Sequence, residues 1–172
     1  MKQLSFLLLI TLLFVGCQSK DAKTTAKVDT TNYPYTSKKA YNWEMNSDSK
    51  NMIIAMNALK AFASKDTAAL KPLIADSIHL SVDGYELNGT RAEFLKAAQQ
   101  EMDKYNSISI NMDDYESVVS ADKTEEWVSL WYTQHSEGKD GKKGSVNMFN
   151  DIKIEKGKVT KWNEYVRHAM EK

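Results

Sequence analysis

Apolar residues recur mainly at helical spacing as far as Tyr105, broken by one alternating stretch at 78–87, and alternate from 107 onward, a change of period that points to helices ahead of a sheet. Met52, Ile53, Met56, Leu59 and Ala63 define a long first helix, with Ser47, Asp48 or Ser49 available to cap its start. Residues 65–67 interrupt it. A short second helix is predicted over 68–75, with Asp66 accepting from the exposed amides of its first turn. Ile78, Leu80 and Val82 alternate as a strand should, Asp83-Gly84 is a turn signal, and 85–87 is a short return strand. Thr90-Arg91-Ala92-Glu93 has the spacing of a capping box ahead of a third helix that carries Phe94, Leu95, Ala98, Met102 and Tyr105 on one face. Strands follow near 107–120, 125–136, 144–155 and 158–168, with Gly138, Gly141 and Gly144 in one hairpin turn and Lys156-Gly157 in another. Helices ahead of a largely antiparallel sheet make an α+β domain.

The N-terminus carries a different signal. Residues 4–15 are an apolar run preceded by Lys2 and closed by Gly16, and the run is shorter than the ~20 residues a spanning helix needs. It reads as the apolar region of a signal peptide. Phe14-Val15-Gly16-Cys17 resembles the lipobox of bacterial lipoproteins, with Phe where Leu is more usual. The expectation is removal of residues 1–16 and lipidation of Cys17 by a diacylglycerol and a third acyl chain such as palmitate. Each buried methylene contributes about 0.8 kcal/mol, so such chains anchor a protein without a transmembrane helix. Residues 17–39, rich in Lys, Thr, Ser and Asp, bury too little to offset their ordering entropy and read as a polar tether. Residues 40–172 form the folded domain. Ser19-Lys20-Asp21 resembles the charged export signal of Bacteroidetes surface lipoproteins. The expected location is the cell envelope, at the outer membrane.

Lys plus Arg number 23 and Asp plus Glu 23, interspersed, so the basic footprint of a nucleic-acid binder is missing. With Cys17, the single cysteine, consumed by lipid, no thiol remains for a disulfide, a cysteine-ligated metal or a redox centre, and no cofactor is expected.

Residues 58–70, the Asp83-Gly84 turn, the phrase from Asn88 to Phe94, and the closing hairpin around Glu155 to Trp162 together resemble SnoaL-like proteins of the NTF2-like superfamily. The resemblance covers essentially the whole domain. It implies an NTF2-like, cystatin-like cone, in which a strongly curved sheet wraps around helices and leaves a cavity at its open end. Isomerases, cyclases, dehydratases and pure binding domains share that fold, so function must be argued from the site.

Strand alternation places Trp127, Ser129, Trp131, Thr133 and His135 on one face and Glu126, Val128, Leu130, Tyr132 and Gln134 on the other. The first set offers two indoles and an imidazole, a wall for a flat apolar ligand with one polar handle. On the last strand Asn163, Tyr165 and Arg167 share a face. The pocket candidates are therefore Trp127, Trp131, His135, Asn163 and Tyr165, with His135 or an acidic cavity residue as a base and Tyr165 as a hydrogen-bond donor should the domain be catalytic. Core or interface packing explains the same aromatics. His79, His135 and His168 fall on separate strands, and Asp113, Asp114 and Glu116 lack calcium-loop spacing, so no metal is expected. Two hypotheses follow. One is a non-catalytic, membrane-tethered domain that binds a small apolar molecule or a partner protein, paired as a homodimer through the convex sheet face. The other is an isomerase, cyclase or dehydratase of the ketosteroid-isomerase type.

Overall fold

In the computed structural model, which describes residues 42–168 together with Pro34 and Tyr35, helices pack on one face of a curved seven-stranded sheet. The signal peptide, Cys17 and the tether lie outside the described residues. No described helix is long and apolar enough to cross a membrane.

The elements in chain order are β1 (Trp43–Met45), α1 (Lys50–Ala63), α2 (Thr67–Leu70), a 3-10 turn (Lys71–Leu73), β2 (Ile74–Val82), β3 (Tyr85–Thr90), α3 (Arg91–Met102), β4 (Tyr105–Ser120), β5 (Glu126–Gly138), β6 (Lys143–Glu155) and β7 (Lys158–Arg167). The sheet order is β1-β4-β5-β6-β7-β2-β3, and β2 runs parallel to β7 while all other pairs are antiparallel. The β2–β3 hairpin thus sits at one edge and β4 near the other, and α3 carries the chain between them.

Local chemistry accounts for most boundaries. The Thr90 hydroxyl accepts from the Glu93 amide at 3.3 Å, and a Glu93 carboxylate oxygen accepts from the Thr90 amide at 2.7 Å, completing the expected capping box. Thr90→Ala removes one half of that exchange and is expected to lower stability by about 1 kcal/mol, measured by urea unfolding, whereas Thr90→Ser should cost much less. Asp66 accepts from the Ala69 amide at 2.8 Å, as its position predicts. The second helix is shorter than expected. Pro72 has no N–H to return to the helix, so the α-helical ladder stops at Leu70 and β2 begins at Ile74. At the start of α1, Ser49 makes no side-chain cap bond; Asp48 instead accepts from the Lys50 amide at 3.0 Å. Both tight hairpins carry positive φ at their two central residues, Asp83 (20°) with Gly84 (80°) and Lys156 (50°) with Gly157 (72°), the backbone that matches the right-handed twist of paired strands. Strand β1 has no counterpart in the sequence reading, since three exposed residues carry no period.

Curvature comes from bulges. The β4–β5 register shifts between Met112 and Asp114, and the β6–β7 register between Lys153 and Ile154. An extra residue in one strand bends it and increases its twist, so the long strands wrap around the helices. Ala55, Ala58 and Ala61 are buried on α1, and these small side chains let the helix approach the sheet closely. Val128, Leu130, Ile152, Val159 and Ile74 on the sheet and Met102 on α3 are fully buried, each contributing roughly 1.5–3 kcal/mol of transfer free energy.

Candidate functional site

Residues paired across a ladder share a face, so the register defines the concave surface as a grid. Its first row is Val128, Ile152 and Trp162; its second is Leu130, Asn150 and Glu164; its third is Tyr132, Met148 and Val166. Two polar side chains, Asn150 and Glu164, therefore stand side by side on the face that packs against the helices, and Tyr132 lies diagonally beside Asn150. Asn150 is fully buried and Tyr132 almost so.

A buried amide must be paired, and here the geometry chooses its orientation. With its oxygen turned toward Tyr132 and Trp162, Asn150 Oδ1 accepts from Tyr132 Oη at 3.0 Å and Trp162 Nε1 at 3.0 Å, while its nitrogen donates to the Phe149 carbonyl at 3.2 Å. The reverse orientation would set the amide N–H groups against the indole N–H. Asn150 thus ties three strands together from inside the sheet.

Glu164 is the titratable carboxyl of this cluster. No described side chain forms an ion pair with it. Part of its surface still reaches solvent, although protein surrounds the carboxyl on most sides. Burial pushes the carboxyl up to about 7, the negative charge of Glu101 pushes in the same direction, and hydrogen bonds with Asn150 and Tyr132 oppose both. The opposition is weak in the amide orientation just described, because the Asn150 nitrogen is committed to Phe149. Tyr132 has a single proton to give. When Glu164 is protonated it donates to Tyr132 Oη, which passes its own proton to Asn150; when Glu164 ionises, that hydroxyl must turn away from Asn150. The network therefore favours the neutral acid, in the same sense as burial. Burial and the Glu164 charge also raise the Tyr132 hydroxyl far above its ordinary range, so it stays protonated.

Glu101 and Tyr105 stand nearby at the end of α3 and the start of β4. The Tyr105 hydroxyl donates to Glu101 Oε1 at 3.3 Å, and Lys104 pairs with the other carboxylate oxygen at 2.6 Å. Burial raises the Tyr105 hydroxyl, with Glu101 second.

Trp127, Trp131, His135, Asn163 and Tyr165, the pocket wall expected from alternation, all lie on the opposite, convex face. Their ladder partners place them there: Trp131 opposes Phe149, Phe149 opposes Tyr165, His135 opposes Ser145, Trp127 opposes Lys153, and Asn163 opposes Asp151. The helices cover the Val128, Leu130 and Tyr132 side instead, where the continuous apolar surface is larger. His135 and Tyr165 thus share a face, but not the interior one. The three histidines are separate: His79 contacts Asn88, His135 contacts Ser145, and His168 contacts Asp83 at 2.6 Å. Asp113 is the extra residue of the β4 bulge. Among the described residues no three His, Cys, Asp or Glu side chains converge as metal ligands.

Glu164 lines neither of two clefts formed among the described residues. One, of about 410 Å³, lies between α1 and β4 and is lined by Met56, Leu59, Ile108, Ile110 and Met112. Met112 pairs directly opposite Tyr132, so this cleft lies one strand from the polar cluster. The other, of about 470 Å³, lies around His135.

Glu164 escaped the sequence reading, yet it left a signal. Asn150 and Glu164 each occupy the centre of an apolar alternation, Met148-x-Asn150-x-Ile152 and Trp162-x-Glu164-x-Val166. A carboxylate at a core position of a strand is costly in its charged form unless paired, which marks it as a candidate functional group.

The architecture is that of an NTF2-like domain, an α+β cone with helices packed in a curved sheet. Solved structures of this kind align over most of their own length. An LEH-like epoxide hydrolase from M. tuberculosis matches with a TM-score of 0.57 at 11% identity, covering 71% of this chain and 86% of the other. AusH from Aspergillus nidulans matches with a TM-score of 0.59 at 16% identity, covering 73% and 89%. An NTF2-like protein from Exiguobacterium sp. 255-15 matches with a TM-score of 0.57 at 12% identity, covering 67% and 99%. At such identities the likeness shows the fold and no more. No protein-family profile matches the sequence, and neither does any curated protein.

Proposed function

We propose that the chain works in the cell envelope, tethered through lipid on Cys17, and that its cone interior binds a small, largely apolar molecule and moves a proton on it through Glu164. The observation that carries this reading is the Glu164 carboxyl, set among apolar side chains with a proton affinity near neutrality. A general acid or base works best when its pKa lies close to the working pH. Trp162, Met148 and Val166 supply apolar surroundings on the same face, and Tyr132 holds the carboxyl through a hydroxyl that does not itself ionise. The reaction class is proton transfer of the isomerase, cyclase or dehydratase type.

The test uses the full chain in detergent, with 3-cyclohexenone as a model ketone in deuterated buffer. Deuterium uptake should rise through pH ~7 and fall by about 100-fold or more in Glu164→Gln. Carbon-13 NMR of labelled glutamate should show one carboxyl titrating near neutrality. If every glutamate titrates in the ordinary range, Glu164 is not poised for this chemistry and the reading falls.

A second reading rests on the apolar cleft between α1 and β4, whose one titratable lining group is Lys60. It supports binding of an apolar molecule without chemistry, and it gains if the ketone exchanges equally fast with the wild-type chain and with the Glu164→Gln variant.

A further inference from the structure

The convex face carries a second constellation that the Glu164 reading does not use. Around His135 lies the cleft of about 470 Å³, within the usual range of small-molecule sites. It exists because the residues flanking His135 are small: Ser109 and Ser145 oppose it on the neighbouring strands, and Gly144 adds no side chain. The imidazole is fixed from both sides, by Ser145 Oγ at 2.6 Å and by the Asn111 amide at 3.1 Å.

The lining decides the ligand chemistry. Glu137 and Lys143, its two charged side chains, face each other at 3.5 Å. That pairing leaves no net charge to select an anion or a cation. Both imidazole nitrogens are already paired, so what remains is hydroxyls, and a hydroxyl both donates and accepts. The complement of such a surface is a neutral molecule rich in hydroxyl groups.

The cleft ends at His135 and Ser145, and the same face of the sheet goes on beyond it. In the next row Thr133 Oγ1 donates to Asn147 Oδ1 at 3.3 Å. Beyond it Trp131, Phe149 and Tyr165 form a row of rings across three strands, with centroids 5.0 and 5.5 Å apart and planes only 31° and 26° from parallel. Tyr165 is 56% exposed. Four residue steps along the strand separate this row from His135, about 13 Å. The rings stack on one another, so the face left to a ligand is that of Tyr165 at the end of the row; a negative ring face attracts weakly positive C–H bonds, and the flat C–H side of a pyranose ring offers a layer of them. Between the two ends the face presents amides and hydroxyls, with the Asp113 carboxylate also 3.3 Å from Thr133 Oγ1. The core of a homodimer interface would be more apolar and poorer in charge than this face, where Asp114 and Arg167 flank the ring rows.

We propose that the His135 cleft, together with the Trp131–Phe149–Tyr165 row on the same face, is a binding site for a neutral oligosaccharide. The proposal stands independently of Glu164. It is tested by native gel electrophoresis of the full chain in a non-glycosidic detergent, with barley β-glucan, galactomannan, xylan or amylopectin cast into the gel. Wild-type protein should be retarded by at least one of the four. Tyr165→Ala and Ser145→Val alter exposed side chains and should each weaken that retardation tenfold or more, with unchanged circular dichroism. Migration unaffected by all four polysaccharides overturns the proposal. So does retardation that both variants retain, or a sugar-independent dimer in which Trp131 is shielded from quencher.

Discussion

Glu164→Gln is expected to stabilise the protein at pH 8, against the usual direction of a substitution inside a fold. The carboxyl binds its proton at about 7 in the folded chain, against the ordinary 4.5 when unfolded. Between those values the native state holds more protons than the unfolded state, so stability falls as pH rises through that window and the loss is complete above it. At 1.36 kcal/mol per pH unit, the full penalty at pH 8 is about 3 kcal/mol. Glutamine stays neutral throughout and can donate to Tyr132 as the protonated acid does, so it escapes that penalty. Urea unfolding at pH 5 and pH 8 measures the difference directly. Wild-type stability should drop between the two while the variant changes little from this group, and parallel curves would place the Glu164 carboxyl in water.

Asn150→Ala is expected to cost the most among single polar substitutions, about 3–5 kcal/mol. Its removal leaves Trp162 Nε1 and the Phe149 carbonyl without the partners that Asn150 gives them, and strips Tyr132 of one acceptor. An orphaned buried polar group costs about 1–3 kcal/mol, more than a satisfied hydrogen bond contributes. Trp162→Phe deletes one of the donors and repacks against Phe94, whose ring lies 6.3 Å away, so it should cost less. A double-mutant cycle by equilibrium unfolding should show the pair costing about 1 kcal/mol less than the sum. Strict additivity would mean that the amide does not bond the indole.

The fold is legible where chemistry is local. Thr90 and Glu93 cap a helix because their side chains reach amides three residues away, and Asp83-Gly84 and Lys156-Gly157 turn because their backbones adopt positive φ. The order of elements and the resemblance to SnoaL-like proteins then point to an α+β cone, the architecture observed. The end of the second helix is set by Pro72, which apolar spacing does not register, and β1 escapes sequence reading because its three residues are held by pairing with residues 118–120 of β4, far away in sequence.

The site is less legible, for a reason that alternation itself explains. A period of two separates Trp131 from Tyr132 and Tyr165 from Glu164 but is symmetric between the two faces. Large residues stand on both, so choosing the aromatic set as the interior is as consistent with the pattern as choosing its opposite. Packing breaks that symmetry. Helix α1 lays its alanine face against Val128, Leu130 and their neighbours, and the ladder register then brings Asn150 beside Glu164 and Tyr132 within reach of both. The residue types, the caps, the turns and the two candidate faces are properties of short stretches of chain. Which face is buried, and therefore which carboxyl loses its water and holds its proton to near neutral pH, depends on contacts between segments far apart in sequence, and only the assembled cone creates them.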